Sequence, residues 1–538
     1  MLQLEVDVMK FAFLCREPVS AVRKRIAIIG AGPAGLSVTG YLVCRGYEVD
    51  VYDKLPYPGG LMTFAIPRSR IPLEEVLEGW KDLEQNFGVK FYLKTKVSIG
   101  EGRDEGDEFV EKKVDLLELS RIYDAVVIAT GTWRSRKLGI EGEDAENVVT
   151  ALNFLYSRRL EELGFAKPSY SYSLKRVVVI GGGLSAIDAA EECLSIGVKE
   201  VYLVYRRSIK EAPAGIHRIR ELEARGVKWV ELAQPKKIVV ENGYAKGVEF
   251  VKVRLGEPDE TGRPRPIPVP GTEFFIETDL VILAVGEIPT PPIYGGDLAR
   301  YVDLSGKLVI GNDYRVPNTN IFAVGDVVTG PSKIGLAIDH ALKAVKIIDT
   351  ALSGEKIRVE DMLKKLKPVE KPPLVIEKWS EDIAKSVCDF LSKYVEVDLN
   401  TCISMKPFLR IFDYTKCIGC ETCNTICSFI HDGRSYIRIR KTDEGLVFPT
   451  SCLHCTNAKC VSSCKRDAIV RGSLGEIIID MKKCNKCMDC LYACPVKAIR
   501  ISRGDIVNCD LCQPLRKGGL TPACISMCPS GAIKLISR

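Results

Sequence analysis

The chain has 538 residues, of which 46% are hydrophobic, and a formal charge of +6; this length predicts roughly three to four domains. No stretch approaches the roughly 20 uninterrupted apolar residues of a membrane span, and the charges within residues 1–18 argue against an export signal, so we expect a cytoplasmic protein without a membrane span. The small positive charge does not predict nucleic-acid binding, because it counts all 21 cysteines as neutral although metal-bound thiolates are anionic.

A nucleotide-binding motif follows a short N-terminal arm, residues 1–24. Residues 25–29 have the apolar, β-branched composition of a buried parallel strand; a glycine-rich turn follows, and then a predicted helix to Cys44. Residues 48–52 form the next predicted strand, which ends at an acid placed to bind the ribose of a dinucleotide. Glycines in the turn let a pyrophosphate approach the helix N-terminus. The candidate binding residues are Gly30, Gly32, Pro33, Ala34, Gly35 and Asp53.

A second motif of the same kind starts at Arg176. Residues 177–180 form its first predicted strand, residues 181–186 fit GxGxxA, and residues 201–205 form its next strand. That strand ends in two arginines instead of an acid, and guanidinium groups suit a 2′-phosphate. This favours NADP(H), with NAD(H) as the alternative. The candidate residues are Gly181, Gly183, Ser185, Ala186, Arg206 and Arg207.

Three further predicted strands end in small residues. They span 124–129, 279–284 and 320–324, and they lead into Thr130 and Gly131, into Gly286, and into Gly325 and Asp326. Their order around the second motif predicts an α/β fold with two Rossmann-like dinucleotide-binding domains, one inserted in the other. We expect the first domain to hold residues 25–145 and 276–350, and the second to hold residues 146–275.

The segment 351–407 is predicted to be a linker. Lys364 to Pro368 and Lys371 to Pro373 have the composition of a solvated, partly extended connector. Five cysteines in and before this segment belong to no ligand motif, and the nucleotide-binding half has no C-x-x-C pair for dithiol chemistry. We expect these five to be small core residues: Cys15, Cys44, Cys193, Cys388 and Cys402.

The other sixteen cysteines lie between residues 417 and 528, in a predicted α+β polyferredoxin domain over 408–538. Runs of three close cysteines with a distal fourth are typical of 4Fe–4S ligands, and the fourth cysteine then binds the other cluster of a pair. A closed zinc site needs two pairs instead, and a disulfide framework suits short secreted domains. The spacing predicts four 4Fe–4S clusters on Cys417, Cys420, Cys423, Cys427, Cys452, Cys455, Cys460, Cys464, Cys484, Cys487, Cys490, Cys494, Cys509, Cys512, Cys524 and Cys528.

Residues 25–350 resemble the glutamate synthase small-subunit family. The resemblance rests on segments 58–62 (PGGLM), 66–72 (IPRSRIP), 204–208 (VYRRS) and 323–326 (AVGD). It implies FAD in the first domain, with Asp326 on the ribityl chain and a helix start facing the flavin, and NADPH in the second. Leu184 and Glu191 depart from the Asn and Arg usual in the family. Further residues implied at the cofactors are Gly60, Leu61, Arg68, Val97, Thr130, Gly131, Gly286, Gly325 and Gly335.

The cysteine-rich segment resembles the four-cluster electron-transfer subunits of the DMSO reductase family, on Pro449, Cys452, His454 and Cys455. Since sixteen thiolates are present, His454 is expected beside a sulfur rather than on iron, and the other histidines, His217, His340 and His431, form no constellation. The resemblance implies four ligand sets. Set I is Cys417, Cys420, Cys423 and Cys528; set II is Cys509, Cys512, Cys524 and Cys427; set III is Cys452, Cys455, Cys460 and Cys494; set IV is Cys484, Cys487, Cys490 and Cys464.

These features together predict an FAD-dependent NAD(P)H oxidoreductase with no acid–base residues to nominate, in which a flavin links two-electron and one-electron carriers. The expected partner is a separate tungsten- or molybdenum-pterin catalytic subunit that oxidises aldehydes or formate in an anaerobe. The alternatives are a stand-alone NADPH:ferredoxin or sulfur reductase, a glutamate synthase small-subunit-like protein, and a filament-forming, electron-conducting scaffold.

Overall fold

The computed structural model describes residues 9–167, 174–259, 262–369, 377–378, 380–405 and 409–537. The predicted connector segment Lys371 to Pro373 lies outside these residues. Across the described ranges, no helix has both the length and the apolarity that crossing a membrane requires. Two five-stranded sheets and a cysteine-rich part made of short helices and hairpins account for most of the chain.

The first sheet is parallel throughout. Two of its strands have the predicted bounds, 25–29 and 48–52. Each is short, and four of its five residues are buried, as is usual for a parallel strand covered on both faces. Helices Pro33–Cys44 and Ile334–Ser353 pack against each other beside it, and helices Leu73–Phe87 and Leu116–Ile122 complete this unit. The strand order is Ile321–Ala323, Ala125–Ile128, Arg25–Ile29, Glu48–Tyr52 and Lys90–Tyr92.

The strands of the second sheet all lie between Val148 and Leu283. Leu280–Leu283 pairs in parallel with Arg176–Ile180, so this unit extends past the limit predicted at residue 275. The pairing satisfies one edge of a central strand that would otherwise bury unpaired backbone groups. The strand order is Lys228–Val230, Glu200–Val204, Arg176–Ile180, Leu280–Leu283 and Val148–Thr150. The helices are Ala151–Glu162, Leu184–Ser195 and Ile216–Ala224, and a three-stranded antiparallel sheet holds Ala233–Glu241, Tyr244–Pro258 and Pro264–Glu277.

Much of the predicted linker is folded, which corrects that expectation. Helix Glu381–Val395 begins at Ser380, whose hydroxyl accepts a hydrogen bond of 3.2 Å from the N–H of Ile383, a standard N-cap. Its apolar residues recur at helical spacing, and this face is buried against the core of the cysteine-rich part, which includes Phe448. The connector composition around residues 364–373 concealed this amphipathic helix.

The cysteine-rich part is built from short elements between its cysteines. Strand Arg410–Phe412 pairs antiparallel with Ile533–Ser537, so the two ends of this part close on each other. The hairpins join Arg438–Lys441 to Val447–Thr450, Ile469–Arg471 to Ile477–Ile479, and Arg500–Ser502 to Asp505–Val507. The helices are Thr422–Ile430, Lys459–Ser462, Asp489–Ala493, Gln513–Lys517 and Ala523–Ser526.

Two disulfides join four of the five cysteines that are predicted to be small core residues. Cys15 is bonded to Cys44, and Cys388 is bonded to Cys402. All four side chains are buried, so the core location holds although the chemical state differs. The partners of each pair come together only through tertiary packing, which no sequence spacing reveals. Cys193 is buried and unbonded.

The largest hydrophobic core is shared by the two halves of the chain. Phe11 and Phe13 of the N-terminal segment lie in it together with Phe429 and Met527 of the cysteine-rich part. The ring of Phe429 meets that of Phe13 edge-on, with centroids 6.3 Å apart, and the N–H of Lys10 donates to the carbonyl of Ser526 at 2.7 Å. The nucleotide-binding half therefore has no complete core of its own on this side.

Candidate functional site

The first glycine-rich turn has the close backbone approach that its sequence indicates. Gly30 has a φ of +103°, and a Cβ there would lie 2.5 Å from the carbonyl oxygen of Ala129, so only glycine fits. The carboxylate of Asp53 accepts hydrogen bonds from the N–H groups of Ala31 at 2.6 Å and Leu55 at 2.9 Å. Burial raises the pKa of Asp53. Asp53 thus fixes the turn in place at the end of its strand.

A cleft beside this turn gathers predicted residues from four places in the chain: Gly30, Asp53, Val97 and Thr130. Gly131 has open space on the side where a Cβ would stand. Exposed glycine backbone at the start of a helix is suited to a pyrophosphate. The cleft therefore fits the adenosine and pyrophosphate end of a dinucleotide.

The rest of the first motif packs around the same turn. A Cβ on Gly35 would lie 2.0 Å from the carbonyl oxygen of Gly30, which allows the helix to approach the strand closely. Pro33 and Ala34 form the first turn of the helix Pro33–Cys44. Built Cβ atoms on two further predicted glycines would also meet this motif: Gly60 at 2.9 Å from the Cα of Gly32, and Gly325 at 2.7 Å from the Cβ of Ala34.

A cavity of about 150 Å³ lies where both sheets meet the cysteine-rich part. Leu61 and Asp326 contribute from the first unit, Ser185 from the second, and Cys420 from the cysteine-rich part. Three units that are distant in sequence thus share one cavity. Its lining combines apolar side chains with several polar and charged ones, a combination that is usual for a cofactor site.

Two carboxyl groups at this cavity are held in surroundings that disfavour their charge. Burial raises the pKa of Asp326 to about 6, although hydrogen bonding from Ser332 opposes the shift. Burial also raises the pKa of Glu287, which accepts a hydrogen bond of 3.0 Å from the hydroxyl of Ser185. Glu287 follows the predicted Gly286, but a single acid after a strand gave no distinctive signal.

Arg70 lines the cavity, whereas the predicted Arg68 does not. One guanidinium nitrogen of Arg70 donates to both carboxylate oxygens of Asp188 at 2.6 Å. Its Nε is buried and has no hydrogen-bond partner among the described residues. Arg68 is exposed and pairs with Glu74, so its place at the flavin stays a prediction. The Arg70–Asp188 pair ties segment 66–72 to the helix of the second motif.

The second glycine-rich turn repeats the geometry of the first. A Cβ on Gly181 would lie 2.2 Å from the carbonyl oxygen of Ala284, at the end of the adjacent strand. Gly183 precedes the helix Leu184–Ser195, which contains Ala186 as a buried residue. Gly286 has a φ of +110° and lies beside Arg136. Glu191, which stands where the family usually has Arg, forms two ion pairs, with Arg218 at 3.4 Å and Arg225 at 2.9 Å.

The two predicted 2′-phosphate arginines have different environments. Arg207 is 2% exposed, donates to the carbonyl of Pro264 at 2.7 Å and pairs with Asp259 at 2.8 Å. A buried guanidinium needs such fixed acceptors, so Arg207 is engaged inside the protein and does not present a free charge. Arg206 is exposed at the end of its strand. The expectation of two nucleotide-facing arginines is therefore corrected to one.

The helix Ile334–Ser353 meets the first run of cysteines at its N-terminus. A Cβ on Gly335 would lie 2.3 Å from the carbonyl oxygen of Cys420 and 2.6 Å from the N of Thr422. The hydroxyl of Thr425 donates to the carbonyl of Gly335 at 3.2 Å. Glycine at this position is what allows the cysteine loop to touch the wall of the cavity.

An ion pair spans the same junction. The Nζ of Lys333 lies 2.8 Å from a carboxylate oxygen of Glu421 and donates to the carbonyl of Gly419 at 3.3 Å. Both side chains are about one third exposed, so solvent weakens the pair. The main effect of the pair is to position the loop of set I against the start of the helix Ile334–Ser353.

The structure brings the cysteines together in four sets. Cys417, Cys420, Cys423 and Cys528 line one cavity, and Cys464, Cys484, Cys487 and Cys490 line another. Burial, and then the neighbouring Cys509 and Cys524, raise the pKa of Cys427 to about 12. Burial, and then Cys494, raise the pKa of Cys460 to about 12. In each case the fourth cysteine of one run lies with the three of another.

The sets also follow one another in space. Burial raises the pKa of Cys423, with contributions from set I neighbours and from Cys524 of set II. Burial likewise raises the pKa of Cys452, with a contribution from Cys509 of set II, and Cys460 of set III is near Cys490 of set IV. The order is therefore set I, II, III and IV, starting at the cavity.

Arg410 is a buried cation between sets II and III. It is 1% exposed, donates to the sulfur of Cys509 at 3.3 Å and to the carbonyl of Cys452 at 2.7 Å. Burial acts to lower the pKa of Arg410, but the charges of Cys509 and Cys524 outweigh it and raise that pKa. A buried guanidinium needs nearby negative charge to compensate its own, and thiolate sulfur at Cys509 would supply it. Sequence reasoning missed it because an arginine in a strand has no motif.

His454 is fully buried beside set III. Its Nδ1 accepts a hydrogen bond of 3.0 Å from the N–H of Ile477, and burial lowers its pKa well below the usual value. The proton of the neutral ring is therefore on Nε2, which has no partner among the described residues. His431 lies with Asp510 and Cys512 in one group of possible ligand atoms, which corrects the expectation that it joins no constellation.

The residues present fit the cofactors that the sequence indicates. For the clusters, backbone N–H groups point at thiol sulfurs, for example Tyr436 at Cys427 (3.1 Å) and Ala468 at Cys464 (3.3 Å), as is usual around iron–sulfur centres. The unpartnered Nε2 of His454 is a further donor of this kind. For the flavin, the open glycine backbone and the unpartnered Nε of Arg70 are the matching features.

Comparison with known proteins agrees with this division. Residues 24–344, more than half of the chain, match the family model described as pyridine nucleotide-disulphide oxidoreductase, and residues 444–538 match the 4Fe-4S dicluster domain. Among solved structures, FprA from Mycobacterium tuberculosis in complex with NADPH is similar, with a TM-score of 0.51 at 21% identity over 64% of this chain and 89% of that chain. This similarity shows the fold alone.

Several curated proteins are similar over the first part of the chain. The NADP(+)-dependent formate dehydrogenase subunit beta of Moorella thermoacetica is 37% identical over 61% of this chain and 44% of its own length. The NADPH-Fe(3+) oxidoreductase subunit beta of Geobacter sulfurreducens is 35% identical over 64% and 53%. The glutamate synthase [NADPH] small chain of Escherichia coli is 35% identical over 61% and 68%. The chain thus spans about half the length of the first two relatives, and the resemblance to glutamate synthase small subunits is confirmed.

Proposed function

Because the chain belongs to the pyridine nucleotide-disulphide oxidoreductase family, we propose that it is an FAD-dependent NAD(P)H oxidoreductase that exchanges electrons with four 4Fe–4S clusters of its own. Bound FAD would take up a hydride and release single electrons, and the clusters would carry those electrons one at a time. Residues 25–145 with about 284–350 would hold FAD, residues 146–283 the nicotinamide, and the sixteen cysteines of sets I to IV the clusters.

The chain's own residues bind and orient these groups. Gly30 and Asp53 shape the cleft for the adenosine end, and Asp326 and Ile334 border the cavity for the flavin ring. The start of the helix Ile334–Ser353 contributes a partial positive charge that favours an anionic ligand. Arg206 offers one exposed cation to a 2′-phosphate, which favours NADP(H) with NAD(H) as the alternative.

One observation carries the proposal: Cys420 lines the same cavity as Leu61, Ser185 and Asp326. A cluster ligand at the wall of a flavin cavity gives the flavin and the first cluster a direct contact through protein. The family's disulfide chemistry is not supported, because Cys44 lies at the far end of a twelve-residue helix, roughly 16 Å from its start, and neither Cys15 nor Cys44 lines the cavity.

We further propose that the clusters lead to a separate catalytic subunit, a tungsten- or molybdenum-pterin enzyme that oxidises formate or an aldehyde. Two relatives named as beta subunits support a partner chain, and one of them is named for formate dehydrogenase. Our proposal places the protein in the cytoplasm, where sixteen ligand thiols stay reduced; the two buried disulfides are exceptional for that compartment.

The test is anaerobic reduction of the purified, cluster-loaded chain by NADPH and, separately, by NADH, followed by visible and EPR spectra. Flavin bleaching followed by iron–sulfur signals is the expected result, with NADPH effective at lower concentration. Bleaching without cluster signals would limit the proposal to electron flow from the partner towards NAD(P)+. If neither nucleotide bleached the flavin, the proposal would fail.

A glutamate synthase small chain is the second candidate, because one such relative is matched over 68% of its own length. An activity assay and co-purification distinguish the two functions. A glutamate synthase role requires a large subunit that accepts electrons for glutamate formation, so a mixture with such a subunit would form glutamate from glutamine and 2-oxoglutarate. Absence of that activity, together with co-purification of a pterin enzyme, favours the first proposal.

A further inference from the structure

We propose that the surface around set IV is the docking site for an acidic redox protein that carries its own one-electron centre. The surface, here called the exit surface, is defined by Met481, Lys482, Lys483, Cys487 and Tyr492. The inference rests on the proposed function, since it names the kind of partner that takes electrons from this chain. It places that partner at one end of the cysteine series.

Position in the series is the first argument. Set I borders the cavity through Cys420, and sets II, III and IV follow in that order. Set IV is thus the set farthest from the cavity along the series. A partner seated there would not obstruct the nicotinamide site, and it would meet the end of the series that the described residues leave exposed at Cys487.

Exposure is the second argument. Cys487 is exposed, whereas the other fifteen ligand cysteines are buried or partly buried. Met488, next to it, lines the set IV cavity and is 39% exposed. Tyr492 stands on the short helix that follows and is 87% exposed. Methionine and aromatic side chains of this kind are enriched in protein interfaces, and here they lie close in sequence to the exposed cysteine.

Charge is the third argument and selects the partner. In the fully described stretch 459–508, Asp467 is the single acid classed as exposed, against eight exposed lysines and arginines. Lys482 and Lys483 make no ion pair with any described residue, and the same is true of Lys465. These exposed cations, here called the basic rim, are complementary to a partner face that carries carboxylates. The exposed cations are Lys459, Lys465, Arg466, Lys482, Lys483, Lys486, Lys497 and Arg503.

Transfer across this contact moves single electrons only, so no bond forms and no proton moves. This chain is oxidised by one electron and the partner's centre is reduced by one. Long-range attraction between the basic rim and an acidic face also speeds encounter, and it weakens as ionic strength rises. The expected contact is therefore salt-sensitive.

The experiment compares the cluster-loaded full chain with two double variants of equal charge change. Lys482→Glu with Lys483→Glu alters the exit surface. Lys90→Glu with Lys199→Glu, two exposed lysines of the nucleotide-binding half, is the matched control. Iron content and the visible spectrum establish that each variant is intact. The probes are an acidic two-cluster ferredoxin, a basic c-type cytochrome and vesicles of phosphatidylglycerol.

We expect the acidic ferredoxin to bind the parent chain and the control variant alike at low salt. Binding to the exit-surface variant should be weaker by at least about tenfold, since two attractive rim charges become repulsive. Carbodiimide cross-links should map to Lys482, Lys483 or Lys465. The basic cytochrome should bind the exit-surface variant better than the parent.

Three results would overturn the inference. They are equal binding of both variants, cross-links confined to other lysines, or strong binding of the vesicles without binding of the ferredoxin, which would make this a membrane contact. Reduction of the flavin by NADPH is measured in the same samples and does not depend on the exit surface. A failure of the proposed function therefore shows as an unbleached flavin, and a failure of the docking site shows as unchanged binding.

Discussion

Two adjacent arginines show that residue identity alone does not predict the role of a side chain. Arg206 and Arg207 are equivalent in the sequence, since both follow the strand that should meet the adenosine ribose. The structure separates them because one side chain reaches inward to Asp259 and Pro264 while the other remains in solvent. A strand alternates its side chains between two faces, so neighbours at a strand end rarely share a function.

The pair gives a matched test. Arg206→Gln should raise KM for NADPH by about 10- to 100-fold, the value of a charge-assisted hydrogen bond, and leave KM for NADH nearly unchanged. Arg207→Gln should instead lower the free energy of unfolding by about 1–3 kcal/mol, since it leaves buried acceptors unpaired. Steady-state kinetics with both nucleotides and thermal unfolding check the two outcomes. Equal kinetic effects from both variants would contradict this division.

Asp326 predicts a pH dependence of stability. Its folded pKa of about 6 lies above the ordinary 3.8, so the folded chain holds this proton more tightly than the unfolded chain. The resulting stabilisation is fully present below pH 3.8 and is lost as pH rises through 6, by up to about 3 kcal/mol. In flavin-depleted protein, Asp326→Asn should therefore stabilise the fold at pH 7.5, and the gain should shrink at pH 5.

Unfolding by denaturant at the two pH values measures this difference. The same variant should bind FAD more weakly, because an amide replaces the carboxylate proposed to hold the ribityl chain. Stability and flavin affinity are thus expected to move in opposite directions at pH 7.5. A variant that was less stable than the parent at both pH values would show that Asp326 is charged and favourably paired in the fold.

Elements were predictable from sequence where local pattern and tertiary packing agree. The strands 25–29 and 48–52 and the helix to Cys44 have their predicted bounds, because each is short, largely buried and bounded by glycine or charge. The helix Glu381–Val395 was missed, since the lysine- and proline-rich composition before it dominated the segment. Arg70, Arg410 and both disulfides were missed because their partners come from distant elements, and single residues carry no period.

The approach of two elements at Gly335 can be tested by adding one methyl group. Gly335→Ala would place a Cβ 2.3 Å from the backbone of Cys420, and backbone cannot move aside as a flexible side chain can. The set I loop should shift away from the cavity, at a cost of about 1–3 kcal/mol. Electron transfer from flavin to clusters should slow by at least about tenfold, since small misplacements strongly affect positioned groups.

Rapid-mixing absorbance after addition of NADPH measures the two phases separately, and flavin bleaching itself should stay fast. Gly295→Ala is the control, because a Cβ there meets no atom within 4 Å and its backbone is ordinary. If both glycine variants transferred electrons at the parent rate, the contact at Cys420 would not set the rate.

At the scale of the whole molecule, the shared core joins the halves into one cooperative unit. Phe429 is the clearest member, since its ring meets Phe13 and Tyr41 edge-on and lies under the Nζ of Lys346. Phe429→Ala should cost about 3–5 kcal/mol, and flavin release and cluster loss should shift together to lower temperature. Phe275→Ala, at a site that is 48% exposed, should change the transition little.

Flavin fluorescence and iron–sulfur absorbance, followed in the same melt, distinguish one transition from two. A single transition for parent and variant is expected. Two transitions, with only the iron–sulfur signal moved by Phe429→Ala, would show that each half is stable alone and that the shared core does not couple them.

The shared core also affects the order in which the protein folds during synthesis. A chain leaves the ribosome from its N-terminus, and N-terminal domains usually fold first, yet Met9 to Cys15 pack against residues near Met527. Residues 9–15 therefore cannot complete their packing until the segment around Met527 has been synthesised. Cys512 of set II lies in the same core, so closure and metal delivery concern the same region. We expect the nascent chain to remain open to chaperones and to iron–sulfur donors until the segment around Met527 emerges.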